Sequence, residues 1–273
     1  MLEQIRTDGF ARVRLKTDET DCLVRLYERA LRFFAVGPER NSRYSTERLT
    51  NGYRPPGTAY NNGDPVNEFD VNDSFLYWNP ECGRRLPYHE EIAAFLAALE
   101  GYRVAVTRPV IGRLLEELAH HYHYRHDLSF EEASVLQVNS YDQPTSRVLG
   151  QTPHEDGVLA TVIWASAAGL ESVDGNVTKQ LDIGPDEVAI MPGSILTVMT
   201  GDEIKPLYHQ VRNHDPAISL HRKSIMYFSC PDIDKGFIEP YVVNDTNSDV
   251  DIRDAIRSAT DAYGLAADFV TDH

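Results

Sequence analysis

The sequence predicts a mainly β protein with flanking helices, and three observations lead to this prediction. Short segments rich in β-branched and other apolar residues follow one another between 135 and 228, separated by Gly, Pro, Asp or Asn. No helical pattern lies between these segments, and many short strands without intervening helices indicate a sandwich, a barrel or a jelly roll. Helical periodicity is instead concentrated in the first 127 residues.

The N-terminal part opens with one strand and one helix. Residues 10–15 alternate between apolar and polar side chains, as a half-buried strand does. Thr17 or Asp18 suits the cap of a helix that runs to Phe34, because apolar residues recur along it at helical spacing. Residues 41–80 are rich in Asn, Gly and Pro and are predicted to be mainly turns and loops.

A long central helix is predicted before the β region. Apolar side chains recur at helical spacing over 86–124, and Pro109 is expected to kink or interrupt this helix. The strands that follow are predicted at 135–141, 159–164, 169–173, 188–191, 195–198, 207–211 and 222–228. A final helix is predicted over roughly 251–263.

The length of 273 residues suits one large domain. We assign residues 1–127 to an N-terminal helical and loop part, 128–240 to the β core and 241–273 to the C-terminal helix. Apolar residues make up 42% of the chain and charged residues 25%, which is ordinary for a protein that buries a full core. We therefore expect one domain whose chemistry lies in its β core.

The charge and the cysteines restrict the partners and the compartment. A formal net charge of −16 disfavours nucleic-acid binding, because affinity for phosphates comes from clustered Lys and Arg. The 3 cysteines have no paired spacing, which favours a reducing compartment. No apolar run is long enough to span a bilayer, and the first residues lack the features of a signal peptide. We expect a cytoplasmic protein without a nucleic-acid or membrane partner.

The pair His154 and Asp156 is the first candidate for metal chemistry. Residues two apart on an extended segment direct their side chains to the same side, so both can reach one ion, whereas Glu155 points away. Two imidazoles and one carboxylate are the ligands that hold non-haem Fe(II) on one face and leave other positions open. The third ligand must therefore come from a strand that is adjacent in space rather than in sequence.

Three histidines compete for the third ligand position. His214 lies in a turn-like segment with Asn, Asp and Pro, where histidines are usually solvated. His221 neighbours Arg222, and strand alternation directs these two side chains to opposite faces. His209 lies within a predicted strand and away from turn residues, so we select it as the third ligand.

Arg222 and Ser224 form a candidate site for a carboxylate. They alternate onto one face of the last strand, where the guanidinium could take a carboxylate through two parallel hydrogen bonds. A buried arginine without an anionic partner would be costly. Alternation also directs Gln137, Asn139 and Tyr141 to one face of their strand, and polar residues turned toward a core need a reason.

Taken together, these motifs resemble the Fe(II)- and 2-oxoglutarate-dependent oxygenases, in particular the isopenicillin N synthase-like branch. The resemblance covers most of the chain. The matching segments are FARV at 10–13, FFAVGP at 33–38, GY at 52–53, NEF at 67–69, NSY at 139–141, PHED at 153–156, GLESV at 169–173, PGS at 192–194, YHQV at 208–211 and RKS at 222–224. Each segment alone is a weak signal, whereas their order is specific.

The resemblance implies a fold, cofactors and residue roles. The fold would be a double-stranded β-helix, also called a jelly roll. His154, Asp156 and His209 would be the ligands of Fe(II). 2-Oxoglutarate and O2 would be the co-substrates, with Arg222 and Ser224 holding the distal carboxylate of 2-oxoglutarate.

The resemblance also implies a reaction. The enzyme would oxidise an unactivated C–H bond of a small molecule by hydroxylation, desaturation or cyclisation, with release of succinate and CO2. A specialised metabolite, an amino acid or a peptide is the expected substrate, by analogy with the family. Asn139 and Tyr141 match positions that assist the co-substrate. Gln137, Phe228 and Tyr53 are candidate substrate-binding residues, and core packing is the competing interpretation for Phe228 and Tyr53.

Two departures from the family pattern concern the substrate rather than the metal. Gln137 stands where the family usually has an arginine, and the interval from His209 to Arg222 predicts a longer hairpin loop over 213–219. Two alternatives stay open. One is an oxidase like isopenicillin N synthase, which uses O2 without 2-oxoglutarate, and the other is a jelly-roll protein that binds a small ligand without catalysis.

Overall fold

Two antiparallel sheets form the framework in the computed structural model, which describes residues 1–46, 51–57, 72–79, 90–123, 128–130, 132–142, 147–213, 222–232, 237–238, 241 and 250–251. The strands, in chain order, are β1 (Ala11–Arg14), β2 (Gly52–Arg54), β3 (Asp73–Trp78), β4 (Val135–Ser140), β5 (Leu149–His154), β6 (Ala160–Ala165), β7 (Leu170–Asp174), β8 (Val177–Gln180), β9 (Glu187–Pro192), β10 (His209–Arg212), β11 (Lys223–Ser229), β12 (Phe237–Ile238) and β13 (Val250–Asp251). The larger sheet has the order β1-β9-β6-β11-β4-β3-β2 and the smaller β5-β10-β7-β8, while β12 and β13 form a separate pair.

The helices of the described segments lie mainly before β4 in the chain. They are α1 (Leu2–Asp8), α2 (Thr17–Phe34), α3 (Pro38–Asn41), α4 (Ala93–Tyr102), α5 (Arg108–His121) and α6 (Ser194–Met199). Two short 3₁₀ turns occupy Ser42–Tyr44 and Glu90–Ile92. A π-helical turn, Arg103–Thr107, joins α4 directly to α5.

The predicted helix up to Phe34 is confirmed as α2, but its cap is Lys16 rather than Thr17 or Asp18. Its first residue is Thr17, and the backbone N–H of Lys16 donates to the Glu19 carboxylate at 2.8 Å, which satisfies a backbone donor at the helix end. The apolar stripe of this helix is fully buried at Leu23 and Leu26. The helix therefore forms because its apolar face packs on the sheet and its first turn is capped.

The larger sheet has two different faces, because alternate residues of a strand point to opposite sides. On the face that we call outer, Ile225 and Tyr227 are buried in the same core as Leu26 and Leu99 of the helices. The helices cover this side of the sheet because their apolar side chains share one core with it.

On the opposite face, which we call inner, Ile163 and Met226 pack in a second core with Leu170 and Val211 of the smaller sheet. Two sheets that bury their facing sides against each other are the arrangement of a jelly roll. The predicted mainly β fold with flanking helices is therefore confirmed.

The predicted central helix is present over 93–121, and the irregularity expected near Pro109 takes the form of a π-helical turn rather than a break. Proline cannot donate a hydrogen bond, and its ring collides with the carbonyl four residues earlier in a regular α-helix. Here the turn before it is a π-helix, Arg103–Thr107, in which the backbone hydrogen bonds span one more residue. The wider turn gives the proline ring room, so α4 and α5 follow each other without a break.

One local prediction is wrong, and a second one missed two strands. Residues 195–198 were predicted as a strand, but they lie in α6, where Ile195 and Met199 are buried at helical spacing. A short apolar run does not distinguish a strand from a buried helix. Residues 41–80, predicted as mainly loops, contain β2 and β3; every residue of β3 is buried, so no alternation marks it in the sequence.

The larger sheet takes β1, β2 and β3 from the first 127 residues, so the N-terminal part contributes to both the sheet and its helical cover. The C-terminal helix predicted near 251–263 lies outside the described residues beyond Asp251. Within the described segments, no helix combines the length and apolar character needed to cross a membrane.

Candidate active site

Three buried side chains of the smaller sheet and its following loop converge at one point. His154 is the last residue of β5 and lies opposite His209, the first residue of β10, in the register of the two strands. Asp156 follows His154 by two residues, before β6 begins. All three are buried, with exposures of 8% for His154, 4% for His209 and 3% for Asp156. Residues predicted from two distant segments are thus brought together.

Backbone carbonyls orient both imidazoles toward the same carboxylate. Nδ1 of His154 lies 2.7 Å from the Thr152 carbonyl oxygen, and Nδ1 of His209 lies 3.0 Å from the Leu207 carbonyl oxygen. A carbonyl accepts only, so each Nδ1 donates, and each Nε2 is the ring nitrogen left for a metal. The two Nε2 atoms lie 3.8 and 3.9 Å from Asp156 Oδ1.

This arrangement fits a divalent metal such as Fe(II). The ligand atoms of His154, Asp156 and His209 all lie within 4.8 Å of one another, and no other His, Cys, Asp or Glu group of the described residues converges in this way. Metal-ligating histidines usually donate their other ring N–H to a group such as a backbone carbonyl, as His154 and His209 do here. Two nitrogens and one carboxylate oxygen are the donor set of facial Fe(II) sites with open positions.

Asp156 is held by both its side chain and its backbone. Thr161 Oγ1 donates to Asp156 Oδ2 at 2.5 Å, and the Ser194 backbone N–H donates to the Asp156 carbonyl oxygen at 3.0 Å. The turn at Gly193 brings these chains so close that a Cβ there would lie 2.1 Å from the Val158 oxygen and 2.5 Å from the Asp156 oxygen. Only glycine fits this contact.

Arg222 lies on the inner face, and part of its guanidinium has no hydrogen-bond partner among the described residues. Its Nε donates to the Ala168 carbonyl oxygen at 3.1 Å, and its Cζ lies 4.4 Å from the centre of the Tyr141 ring. The side chain is 3% exposed, yet Nη1 and Nη2 have no hydrogen-bond partner among the described residues. A buried fork of this kind suits a carboxylate bound through two hydrogen bonds.

A chain of hydrogen bonds runs along the inner face toward Arg222. Gln137 Nε2 donates to Asn139 Oδ1 at 2.7 Å, and Asn139 Nδ2 donates to the Tyr141 hydroxyl at 3.4 Å. The Tyr141 hydroxyl lies 3.4 Å from Ser224 Oγ. Asn139 is opposite Ser224 in the register of β4 and β11. The predicted polar stripe thus meets the predicted carboxylate site.

The structure separates the three candidate substrate residues. Gln137 and Phe228 are half-buried on the inner face, where Phe228 is paired with Thr161 across β11 and β6. Tyr53 lies on the outer face with no exposure, and its hydroxyl donates to Asp73 Oδ2 at 3.0 Å. Burial raises the pKa of Tyr53, and the Asp73 charge raises it further. Tyr53 is not brought to the metal ligands.

Other predicted residues have different outcomes. Glu155, expected to point away from the metal, is half-buried, and burial raises the pKa of its carboxyl, with a further contribution from Asp156. His214 and His221, the competing ligands, lie outside the described residues. Sequence reasoning missed Thr161, whose only signal was a polar residue at an inner position of a predicted strand.

Residues 132–231 match the 2OG-Fe(II) oxygenase superfamily. None of the curated protein sequences compared with the chain matches it. The matched segment contains the convergent triad, Arg222 and the polar stripe of β4. The resemblance is therefore confirmed for the superfamily, and the match does not distinguish the isopenicillin N synthase-like branch.

Solved structures with the same fold include proteins in complex with 2-oxoglutarate. Neurospora crassa T7H in complex with alpha-KG and thymine has a TM-score of 0.76 at 16% identity, covering 96% of this chain and 90% of that chain. JOX2 in complex with 2OG, Fe and JA has a TM-score of 0.71 at 18% identity, covering 91% and 76%. The 2-oxoglutarate complex of AtDAO1, dioxygenase for auxin oxidation 1 from Arabidopsis thaliana, has a TM-score of 0.63 at 18% identity, covering 85% and 88%. At these identities the likeness is one of fold.

Proposed function

We propose that this protein acts as an Fe(II)- and 2-oxoglutarate-dependent oxygenase, which oxidises an unactivated C–H bond of a small molecule with release of succinate and CO2. The outcome would be hydroxylation, desaturation or ring closure. The observation that carries the proposal is a metal-ligand triad in the same jelly roll as the buried Arg222, whose two Nη atoms have no hydrogen-bond partner among the described residues. A metal site and a carboxylate site together suit a 2-oxo acid as co-substrate.

In the proposed roles, His154, Asp156 and His209 hold Fe(II). The iron, once bound with 2-oxoglutarate, supplies the activation of O2 that C–H oxidation requires. The protein's part is to keep three buried ligands on one side of the ion, which would leave the remaining positions open for the co-substrates. The hydrogen bonds to Thr152 and Leu207 fix the imidazole rings before the metal arrives.

Arg222, Ser224, Asn139 and Tyr141 are proposed to bind 2-oxoglutarate. The two Nη atoms of Arg222 would donate to its distal carboxylate, because they have no other acceptor among the described residues. The hydroxyls of Ser224 and Tyr141 lie beside each other at 3.4 Å and can both donate to the same anion. The Tyr141 ring, stacked under the guanidinium, holds it in place.

The substrate is proposed to lie on the inner face near Gln137 and Phe228. Gln137 uses its NH2 group on Asn139, so its carbonyl oxygen is directed to accept a hydrogen bond from a substrate. Phe228 belongs to an apolar cluster with Leu76, Trp78 and Val135, which would contact apolar parts of the substrate. Complexes of two proteins with the same fold contain thymine and JA, which supports a small molecule.

Dependence on 2-oxoglutarate is the decisive test. The Fe(II)-loaded protein would be incubated with a panel of small acids and heterocycles, with and without 2-oxoglutarate, while succinate is measured. We expect succinate to form only with 2-oxoglutarate and to increase with a true substrate. Turnover that persists without 2-oxoglutarate and yields no succinate would instead identify an oxidase like isopenicillin N synthase. Failure to bind Fe(II) under anaerobic conditions would favour the non-catalytic jelly roll.

The choice of His209 as a ligand is tested by a pair of variants. His209→Ala should abolish Fe(II) binding, because it leaves only two of the three protein ligands. His214→Ala is the matched control and should bind Fe(II) as the unmodified protein does. The reverse result would refute His209 as the third ligand.

A further inference from the structure

We propose that Thr161 is a positioning residue that restricts Asp156 to binding the metal through a single oxygen, Oδ1. This inference rests on the proposed metal site. It assigns a role to a residue that contributes no ligand atom and that lies on a strand, β6, outside the two ligand-bearing segments.

The two oxygens of Asp156 have separate contacts. Oδ2 accepts the hydrogen bond from Thr161 Oγ1 at 2.5 Å. Oδ1 is the oxygen that faces both imidazoles, at 3.8 Å from Nε2 of His154 and 3.9 Å from Nε2 of His209. The Thr161 hydroxyl therefore draws one oxygen away from the point where the three ligands converge.

This separation matters because a carboxylate can bind a metal through one oxygen or through two. A second oxygen on the ion would occupy one of the positions that a facial triad leaves open. In the proposed reaction those positions are needed by 2-oxoglutarate and O2. An oxygen that already accepts a hydrogen bond is less able to take up the ion.

The surroundings of Thr161 fix the direction of its hydroxyl. The residue is 1% exposed and lies on the inner face of β6, paired with Met191 on one side and with Phe228 on the other. A β-branched side chain has few allowed χ1 angles, and burial restricts it further. The hydroxyl is thus presented to Asp156 before any metal binds.

The test compares Thr161→Ser, which keeps the hydroxyl, with Thr161→Ala, which removes it. Co(II) is the probe, because its visible absorption reports coordination number without turnover. We expect Thr161→Ala to weaken Co(II) binding by about 10–100-fold, the usual effect of losing an outer-shell partner, and to change the Co(II) spectrum. Thr161→Ser should retain the affinity and the spectrum of the unmodified protein.

Thr107→Ala is the matched control for loss of a buried threonine hydroxyl. Thr107 has no exposure, and its hydroxyl donates to the Arg103 carbonyl oxygen at 2.8 Å in the helical part. This variant should lose stability but keep the Co(II) spectrum. If Thr161→Ala does not fold, Thr161→Val replaces it in the comparison with Thr161→Ser.

Equal Co(II) affinity and spectra for the variants with and without the hydroxyl would overturn the role of Thr161. Failure of the unmodified protein to bind Co(II) or Fe(II) is a different result, because it would contradict the metal site itself. The two failures are therefore distinguishable in one titration series.

Discussion

Lys223 is the first residue of β11, and Arg222 directly precedes it. Both are buried cations, yet they lie on opposite faces of the sheet and have different partners. Lys223 lies on the outer face with no exposure, and its Nζ donates to both carboxylate oxygens of Asp142, at 2.8 and 2.7 Å. Arg222 lies on the inner face, where the protein satisfies only its Nε among the described contacts. One residue of sequence therefore separates a cation paired by the fold from a cation that we propose binds a ligand.

The contrast extends across the whole sheet. On the outer face, Tyr53 is paired with Asp73, and aromatic rings such as Phe33 and Phe75 pack edge to face at 5.2 Å. On the inner face, Gln137 and Phe228 remain half-buried, and the hydrogen-bond chain ends beside Arg222. The outer face is packed mainly by the protein itself, whereas we propose that the inner face is completed by binding.

Arg222→Met should give the largest effect and should act on binding rather than on folding. Loss of a buried, charge-assisted pair costs about 2–5 kcal/mol, which corresponds to an increase in the KM for 2-oxoglutarate of about 30-fold to several thousandfold. The free energy of unfolding without ligand should change by less than about 1 kcal/mol, because the removed charge had few protein partners. Steady-state kinetics and urea unfolding measure the two quantities. A large loss of stability with an unchanged KM would contradict the assignment.

Lys223→Met should show the reverse pattern. It leaves Asp142, whose side chain is 27% exposed, without its buried cation. We expect the free energy of unfolding to fall by about 2 kcal/mol, less than for a fully buried pair because water still reaches the carboxylate. The KM for 2-oxoglutarate should change by less than a few-fold. The double variant Lys223→Met/Asp142→Leu is the control, and it should recover part of the lost stability in urea unfolding.

Gln137→Leu sharpens the comparison within the inner face. It removes the hydrogen bond that orients Asn139, and a neutral hydrogen bond is worth about 1 kcal/mol, so the affinity for 2-oxoglutarate should fall by about 3–10-fold. Leu136→Met, a neighbouring change on the outer face of the same strand, should leave that affinity unchanged. Calorimetry with Co(II)-loaded protein measures both. Equal affinities for the two variants would show that Asn139 does not depend on Gln137.

Asp73→Asn should have the smallest effect, on the outer face. Burial raises the pKa of Asp73 above 3.8, and the hydrogen bond from Tyr53 opposes this only in part. A raised pKa means that the folded state binds the proton more tightly than the unfolded state. The free energy of unfolding therefore falls as pH rises through the folded pKa of Asp73. The variant should therefore gain up to about 1 kcal/mol relative to the unmodified protein, and the gain should be greater at pH 7.5 than at pH 5. Urea unfolding at the two pH values tests this, and a less stable variant at pH 7.5 would refute it.

The parts of the fold that the sequence predicted are those that depend on local pattern. Strand alternation was enough to place Asn139 and Tyr141 on the inner side with Ser224, and helical spacing with a capped first turn located α2. The pairing of His154 and Asp156 followed from their spacing alone, because it needed only the direction of two side chains on one segment.

The parts that were missed depend on contacts between distant segments. β3 is buried on both faces by the rest of the chain, so its own sequence carries no alternation. The hydrogen bond from Thr161 to Asp156 and the tight turn at Gly193 arise only once β6, β9 and the loop that carries Asp156 are assembled. No spacing rule within one segment predicts such contacts.

The close approach at Gly193 bears on how active members of such a superfamily are recognised from genome sequences. Any side chain at this position would press on the backbone that carries Asp156. A chain that keeps both histidines and the aspartate but replaces this glycine would therefore retain the ligands in its sequence and lose their arrangement in space. A survey that counts enzymes by the His-x-Asp and distal His pattern alone would include such chains. Requiring the glycine that directly follows β9 would separate them from the working oxygenases.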